Sequence, residues 1–153
     1  MAARSKQDLE ARLIRTVPLL MRHLLAHARR KPSWTEMTYQ QYNVMRIVAG
    51  EGPTAQADIA RRLLVSAPVV TRLASALVEA ELIERGNDPH DKRSVVLHLT
   101  EEGTRRVTAM RKDLLRSAGE LLEPLPHEQR EGIADALEQL EVLLPVRRSS
   151  ARR

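Results

Sequence analysis

Arg72, Lys92 and Arg93 are the residues whose types and settings point to chemistry, and it is the chemistry of recognition. Arg72 lies in S-A-P-V-V-T-R-L. From an outward helix face, its guanidinium could donate two parallel hydrogen bonds to guanine O6 and N7. Lys92 and Arg93 lie in D-P-H-D-K-R-S, where charge and turn-formers suit a loop that enters the narrow, negative minor groove. Asp91, two residues before Arg93, is placed to pair with it and hold its fork in one rotamer. An exposed ion pair is worth only about 0 to 1 kcal/mol, so such a pair makes sense where pre-orientation matters.

Other chemistries find less support. His23 and His27 stand at i and i+4, which puts two imidazoles on one helical face. A zinc hydrolase would want a glutamate after the first histidine, and Leu24 sits there. A metal-responsive role for His23 and His27 stays open as an alternative. His90, His98 and His127 show neither ligand spacing nor a nucleophile partner, and the chain has no Gly-rich phosphate loop. There is no cysteine, hence no disulfide, thiolate metal site or thiol switch. An enzyme is not expected, and no cofactor is implied.

Helices and a hairpin must position these groups. Leu9, Leu13, Val17, Leu20, Leu24 and Ala28 recur at helical steps, which predicts a long amphipathic helix over about 7–30, interrupted and kinked at Pro18. Thr38 and Gln41 form a capping box that opens a second helix to about Ala49. A short helix near 55–63 turns Ile59, Ala60, Leu63 and Leu64 inward. After a tight turn at Leu64-Val65, Ser66 caps the next helix, with Pro68 in its first turn. Val70, Leu73, Leu77 and Ala80 form the buried stripe of that helix, leaving Ala67, Pro68, Thr71, Arg72 and Ser75 outward. Leu82-Ile83-Glu84-Arg85 and Val95–Leu99 then read as the strands of a hairpin with a charged tip. Thr100 opens a helix to about Leu122, which Pro124-Leu125-Pro126 ends. Ile133, Leu137, Leu140 and Leu144 make a coiled-coil-like seam on a last helix.

The expected fold is therefore mostly α (α+β), a winged helix-turn-helix with long N- and C-terminal dimerisation helices. The second helix of the pair would enter the major groove, presenting Ser66, Ala67, Pro68, Thr71, Arg72 and Ser75. Asp91, Lys92 and Arg93 would form the wing contact. Thr38 and Gln56 are candidates for the DNA backbone.

The 153 residues suffice for one such domain with oligomerisation helices. Apolar residues make up 42%, Phe is absent, and Trp34, Tyr39 and Tyr42 are the only aromatics, so the core must be aliphatic. The net charge of +5 is less telling than it looks. Arg4, Lys6, Arg147, Arg148, Arg152 and Arg153 supply +6, which leaves residues 7–146 near −1. Residues 101–146 carry six basic and ten acidic side chains, so that segment is no surface for DNA. No apolar run is long enough for a membrane span and no leader-like segment opens the chain, so a cytoplasmic protein is expected.

From Thr38 to Gly103 the chain resembles the MarR family of bacterial transcriptional regulators. The matching marks are T-x-x-Q-Y-x-V-M, D-I-A-R-R-L, S-x-x-V-V-T-R-L, A-E-L-I-E-R, D-P-H-D-K-R-S and L-T-E-E-G. The resemblance implies a homodimer, usually a repressor released by a small ligand, on an imperfectly palindromic duplex. It implies dimerisation helices at 1–34 and 101–146, a DNA-binding domain at 35–100, and a basic tail at 147–153. It also assigns Arg93 to the minor groove. Many similar proteins place an Asp-Arg pair where this chain has Ser75-Ala76, so base preference should differ. In similar proteins effectors bind between the dimerisation helices and the winged helix. Here that region should draw on His23, His27, Trp34, Tyr42, Met45 and Met110, which suit a small aromatic or amphipathic molecule. A winged helix that binds only protein is the rival reading.

Overall fold

A computed structural model describes residues 6–88, 91 and 93–144. Helices α1 (Lys6–Ala28) and α2 (Tyr39–Glu51) are followed by strand β1 (Thr54–Ala55), helices α3 (Gln56–Leu63) and α4 (Ala67–Glu79), the hairpin β2 (Ile83–Asn87) and β3 (Val95–Leu99), and helices α5 (Glu101–Leu122) and α6 (His127–Leu143). A single 3₁₀ turn, Pro32–Trp34, joins α1 to α2. The small sheet is antiparallel in the order β1-β3-β2, with Thr54 opposite Leu97 and Arg85 opposite Leu97 on its other side. This is the expected mostly-α winged helix-turn-helix, flanked by long helices.

Local chemistry explains most element boundaries. Thr38 accepts from the Gln41 amide while the Gln41 side chain accepts from the Thr38 amide, so the capping box that opens α2 is complete. Thr100 does more than cap α5. Its hydroxyl accepts from the Gly103 amide at 2.9 Å and donates to the Glu81 carbonyl at 2.8 Å, while its own amide donates to Leu82 O. The first turn of α5 is thereby fastened to the α4–β2 corner. Only glycine permits the approach, because a Cβ on Gly103 would lie 1.8 Å from Leu82 O.

The core is aliphatic and continuous from helices to sheet, with Val44, Met45, Ile59, Val70, Leu77, Ile83, Leu97 and Met110 at its centre. It is built on the winged-helix elements and the middle of α5. Helix α6 has no buried residue, and α1 buries only Ala28.

Several expectations need correction. Leu64 does not face inward. It is 86% exposed, because the turn after α3 puts it in the left-handed region (φ 53°), where the Val65 amide can reach Ala60 O. On α4 the buried stripe is Val70, Ala74 and Leu77, with Leu73 half-buried and Ala80 exposed, since α4 packs slightly rotated on the core. Helix α1 runs unbroken through Pro18, whose missing N–H costs a single intrahelical bond. The first hairpin strand is Ile83–Asn87, and the two-residue β1 was not anticipated.

Candidate nucleic-acid interface

Helix α4 and the hairpin meet at an open cleft of about 780 Å³. Thr71 and Ser75 line one wall, Gln56 and Ala57 from α3 close one end, and Arg93, Ser94 and Val95 form the wing side. The expected readers Ser66, Ala67, Pro68, Thr71, Arg72 and Ser75 are all exposed on the outward face of α4. Burial of Val70, Ala74 and Leu77 fixes that rotation, since residues between the stripe positions must point away from it. The structure thus brings the α4 face, Gln56, Asp91 and Arg93 to one side of the molecule.

Their side chains are unequally free. Thr71 Oγ1 donates toward Ala67 O at 3.1 Å and lies 3.4 Å from Gln56 Oε1, so α3 braces the outward face of α4. Ser75 Oγ donates to Thr71 O at 2.9 Å and accepts from an Arg85 guanidinium nitrogen at 2.7 Å. Ser66 makes no side-chain capping bond, which leaves its hydroxyl outside the helix's own network. Among the described residues Arg72 has no hydrogen-bond or ion-pair partner, whereas Arg61 pairs with Asp58 and Arg62 with Glu51.

At the wing tip, the Asp91 carboxylate does not grip the Arg93 guanidinium. Its Oδ1 accepts from the Arg93 backbone amide at 3.0 Å, and the Ser94 amide donates to Asp91 O at 2.9 Å. A short acidic side chain two residues back reaches the amide more easily than it reaches a long, solvated guanidinium. Asp91 therefore shapes the turn rather than the rotamer. Lys92 lies outside the described residues, as do Arg4 and the basic stretch 147–153. Thr38 is exposed, but its hydroxyl is occupied in the capping box and it does not line the cleft.

The residues expected to form an effector cleft are instead packed. Trp34, Tyr42, Met45 and Met110 are each at most 4% exposed. The Trp34 indole donates to Met110 O at 3.3 Å and its ring lies 5.3 Å from that of Tyr42. Burial pushes the Tyr42 phenol above its ordinary pKa, so it stays neutral. Flexible Met side chains fill the space that would have been open. His23 and His27 lie on α1, with rings 4.6 Å apart and His27 Nδ1 3.1 Å from His23 O. Among the described residues no group of three or more His, Cys, Asp or Glu gathers to hold a metal ion.

Arg85 was missed in the sequence. A lone arginine in a strand reads as a solvated side chain, and only the hairpin register places it beside Ser75.

A helix-turn-helix that offers an exposed small-residue face beside a cation-bearing wing defines the winged-helix class of DNA-binding proteins. Residues 35–94 match the family model described as the MarR family. Over 68 residues the chain is 35% identical to the HTH-type transcriptional regulator YpoP of Bacillus subtilis, an alignment that covers 44% of this chain and about half (48%) of that protein. The fold is similar to that of a MarR family protein from Bacillus stearothermophilus, with TM-score 0.77, 20% identity, and coverage of 92% of this chain and 96% of that one. It is also similar to the PcaV transcriptional regulator of Streptomyces coelicolor, solved with its natural ligand, with TM-score 0.61, 23% identity, and coverage of 92% and 97%. Residues 35–94 of this chain are thus similar to the MarR family, and the fold around them is similar to that of a MarR family protein. The relatives that the chain matches are named as HTH-type transcriptional regulators. No described helix is long and apolar enough to cross a membrane.

Proposed function

We propose that the chain acts as a homodimer on an imperfectly palindromic duplex, with α4 in the major groove and the wing in the flanking minor groove. The observation that carries this reading is the shared orientation of the exposed α4 face and Arg93 across one cleft, with Arg72 free of any acidic partner among the described residues. Residues 35–100 form the reading unit, and residues 1–34 and 101–146 supply the dimer contacts. Support for the dimer comes from the apolar side chains of α1 and α6, among them Leu13, Ile14, Leu137 and Leu140, which their own chain leaves exposed. Covering such surface in a second copy stabilises by about 25 cal/mol per Å².

Occupying an operator is most simply repressive, since it excludes other proteins from the same duplex. A small ligand that shifts the spacing of the two α4 helices would release it. PcaV, which has the same fold and was solved with its natural ligand, supports that part of the reading. In this chain an amphipathic effector would have to displace the packed Trp34–Tyr42–Met110 cluster, or bind where two copies meet. A metal-responsive role through His23 and His27 is not favoured.

Selection of bound sites from a random duplex pool tests the reading. The expected product is a two-fold motif with half-sites about 10 base pairs apart, centre to centre. Recovery of no enriched motif would overturn it.

A further inference from the structure

The cation best placed by the fold is one to which the reading above gives no role. Arg85 sits on β2 with its guanidinium on Ser75 Oγ at 2.7 Å and, at a longer 3.5 Å, on Thr71 O. Both acceptors are neutral, and among the described residues no carboxylate pairs with it. One nitrogen makes both contacts, so the donors on the other two are left for a ligand. The cleft that Arg85 lines also holds Arg93 and Ser94, and the one carboxylate among its described lining residues, Asp91, is engaged by the Arg93 amide.

The position of Arg85 specifies the ligand. If α4 lies in the major groove and the hairpin tip in the minor groove, the surface between them must cross the phosphate ridge that separates the grooves. We propose that Arg85 is the seat for a backbone phosphate at that crossing, and that Ser75 holds the guanidinium ready for it. This assignment rests on the DNA-binding reading. It makes Ser75 a positioning residue and Arg85 a non-sequence-specific contact. A planar guanidinium already fixed on one side suits this role, because it loses little rotamer freedom when the phosphate arrives.

The test measures full-length protein by fluorescence anisotropy across a salt series, on a selected duplex and on a scrambled one. Arg85→Gln should lower affinity on the order of ten-fold on both duplexes. It should also flatten the slope of log affinity against log salt by about 0.9. Arg85→Lys should keep the slope. Ser75→Ala should weaken binding with the slope unchanged, and should add nothing in an Arg85→Gln background. An Arg85→Gln slope equal to that of the parent would overturn the seat and leave Arg85 as an internal strut. If Arg85→Gln does not fold, loss of slope in Arg85→Lys would overturn it instead. Parent protein that bound neither duplex would overturn the DNA reading itself, an outcome distinct from an unchanged slope.

Discussion

The Asp91 carboxylate accepts a hydrogen bond from the Arg93 backbone amide at 3.0 Å, so the acid controls the path of the wing tip and leaves the guanidinium without an ion-pair partner among the described residues. An asparagine at 91 keeps the acceptor and removes a negative charge beside DNA, whereas alanine removes both. Asp91→Asn should therefore bind duplex at least as tightly as the parent. Asp91→Ala should bind more weakly despite its lost charge, because a net hydrogen bond worth about 0.5 to 1.5 kcal/mol no longer closes the turn. Anisotropy on both variants decides the matter. Tighter binding by Asp91→Ala would mean that the turn needs no carboxylate.

Gly103 should be the least tolerant position outside the core. Any Cβ there meets Leu82 O at 1.8 Å, and that oxygen is backbone already fixed by the Thr100 amide. Neither partner is a flexible side chain that can swing away. Gly103→Ala should cost roughly 3 kcal/mol or more, at the upper end of overpacking penalties. Thermal unfolding should show a drop of about 6 to 12 °C for a chain of this size. Gly119→Ala is the control, since a Cβ there meets nothing within 4 Å. An unchanged midpoint for Gly103→Ala would refute the close approach.

Features set by a few neighbouring residues were legible in the sequence. The Thr38–Gln41 box, the Thr100 cap, Pro68 in the first turn of α4 and the outward α4 face all follow from contacts within one turn of helix. Features set by distant partners were not. Thr54–Ala55 is a strand only because Val96 and Leu97 lie beside it, and Arg85 became significant only when the hairpin register brought it to Ser75. The residues Trp34, Tyr42, Met45 and Met110 were grouped correctly but read as lining a space. Helical spacing reports which side chains converge and says nothing of whether they close the gap. Leu64 shows the same limit, since its apolar side chain implied burial while the geometry of the turn after α3 sent it outward.

The outer helices should fail as a unit when their apolar faces are charged. Leu137 and Leu140 are 52% and 37% exposed in the single chain, on a helix with no buried residue. Replacing both with Glu should leave the winged-helix core intact by circular dichroism and shift the molar mass in light scattering from dimer to monomer. Affinity for a two-half-site duplex should fall steeply while affinity for a single half-site changes little. A parent protein that is monomeric at micromolar concentration would refute the dimer.

Arg72 should separate sequence reading from simple attraction. It lies on the exposed face of α4 and, unlike Arg85, has no hydrogen-bond partner among the described residues, so nothing in the free protein ties it to the backbone path. A guanidinium that forks onto guanine contributes discrimination, because the wrong base leaves its donors unpaired. Arg72→Ala should cost roughly 1 to 3 kcal/mol on the selected duplex and relax the preference at one position in each half-site. On scrambled duplex the loss should be small. Arg85→Gln should instead weaken both duplexes equally. Repeating the site selection with Arg72→Ala supplies the measurement, through the information lost at each position. A uniform loss on all duplexes, together with a flatter salt slope, would make Arg72 a phosphate contact and move base reading to Ser66, Ala67 and Pro68.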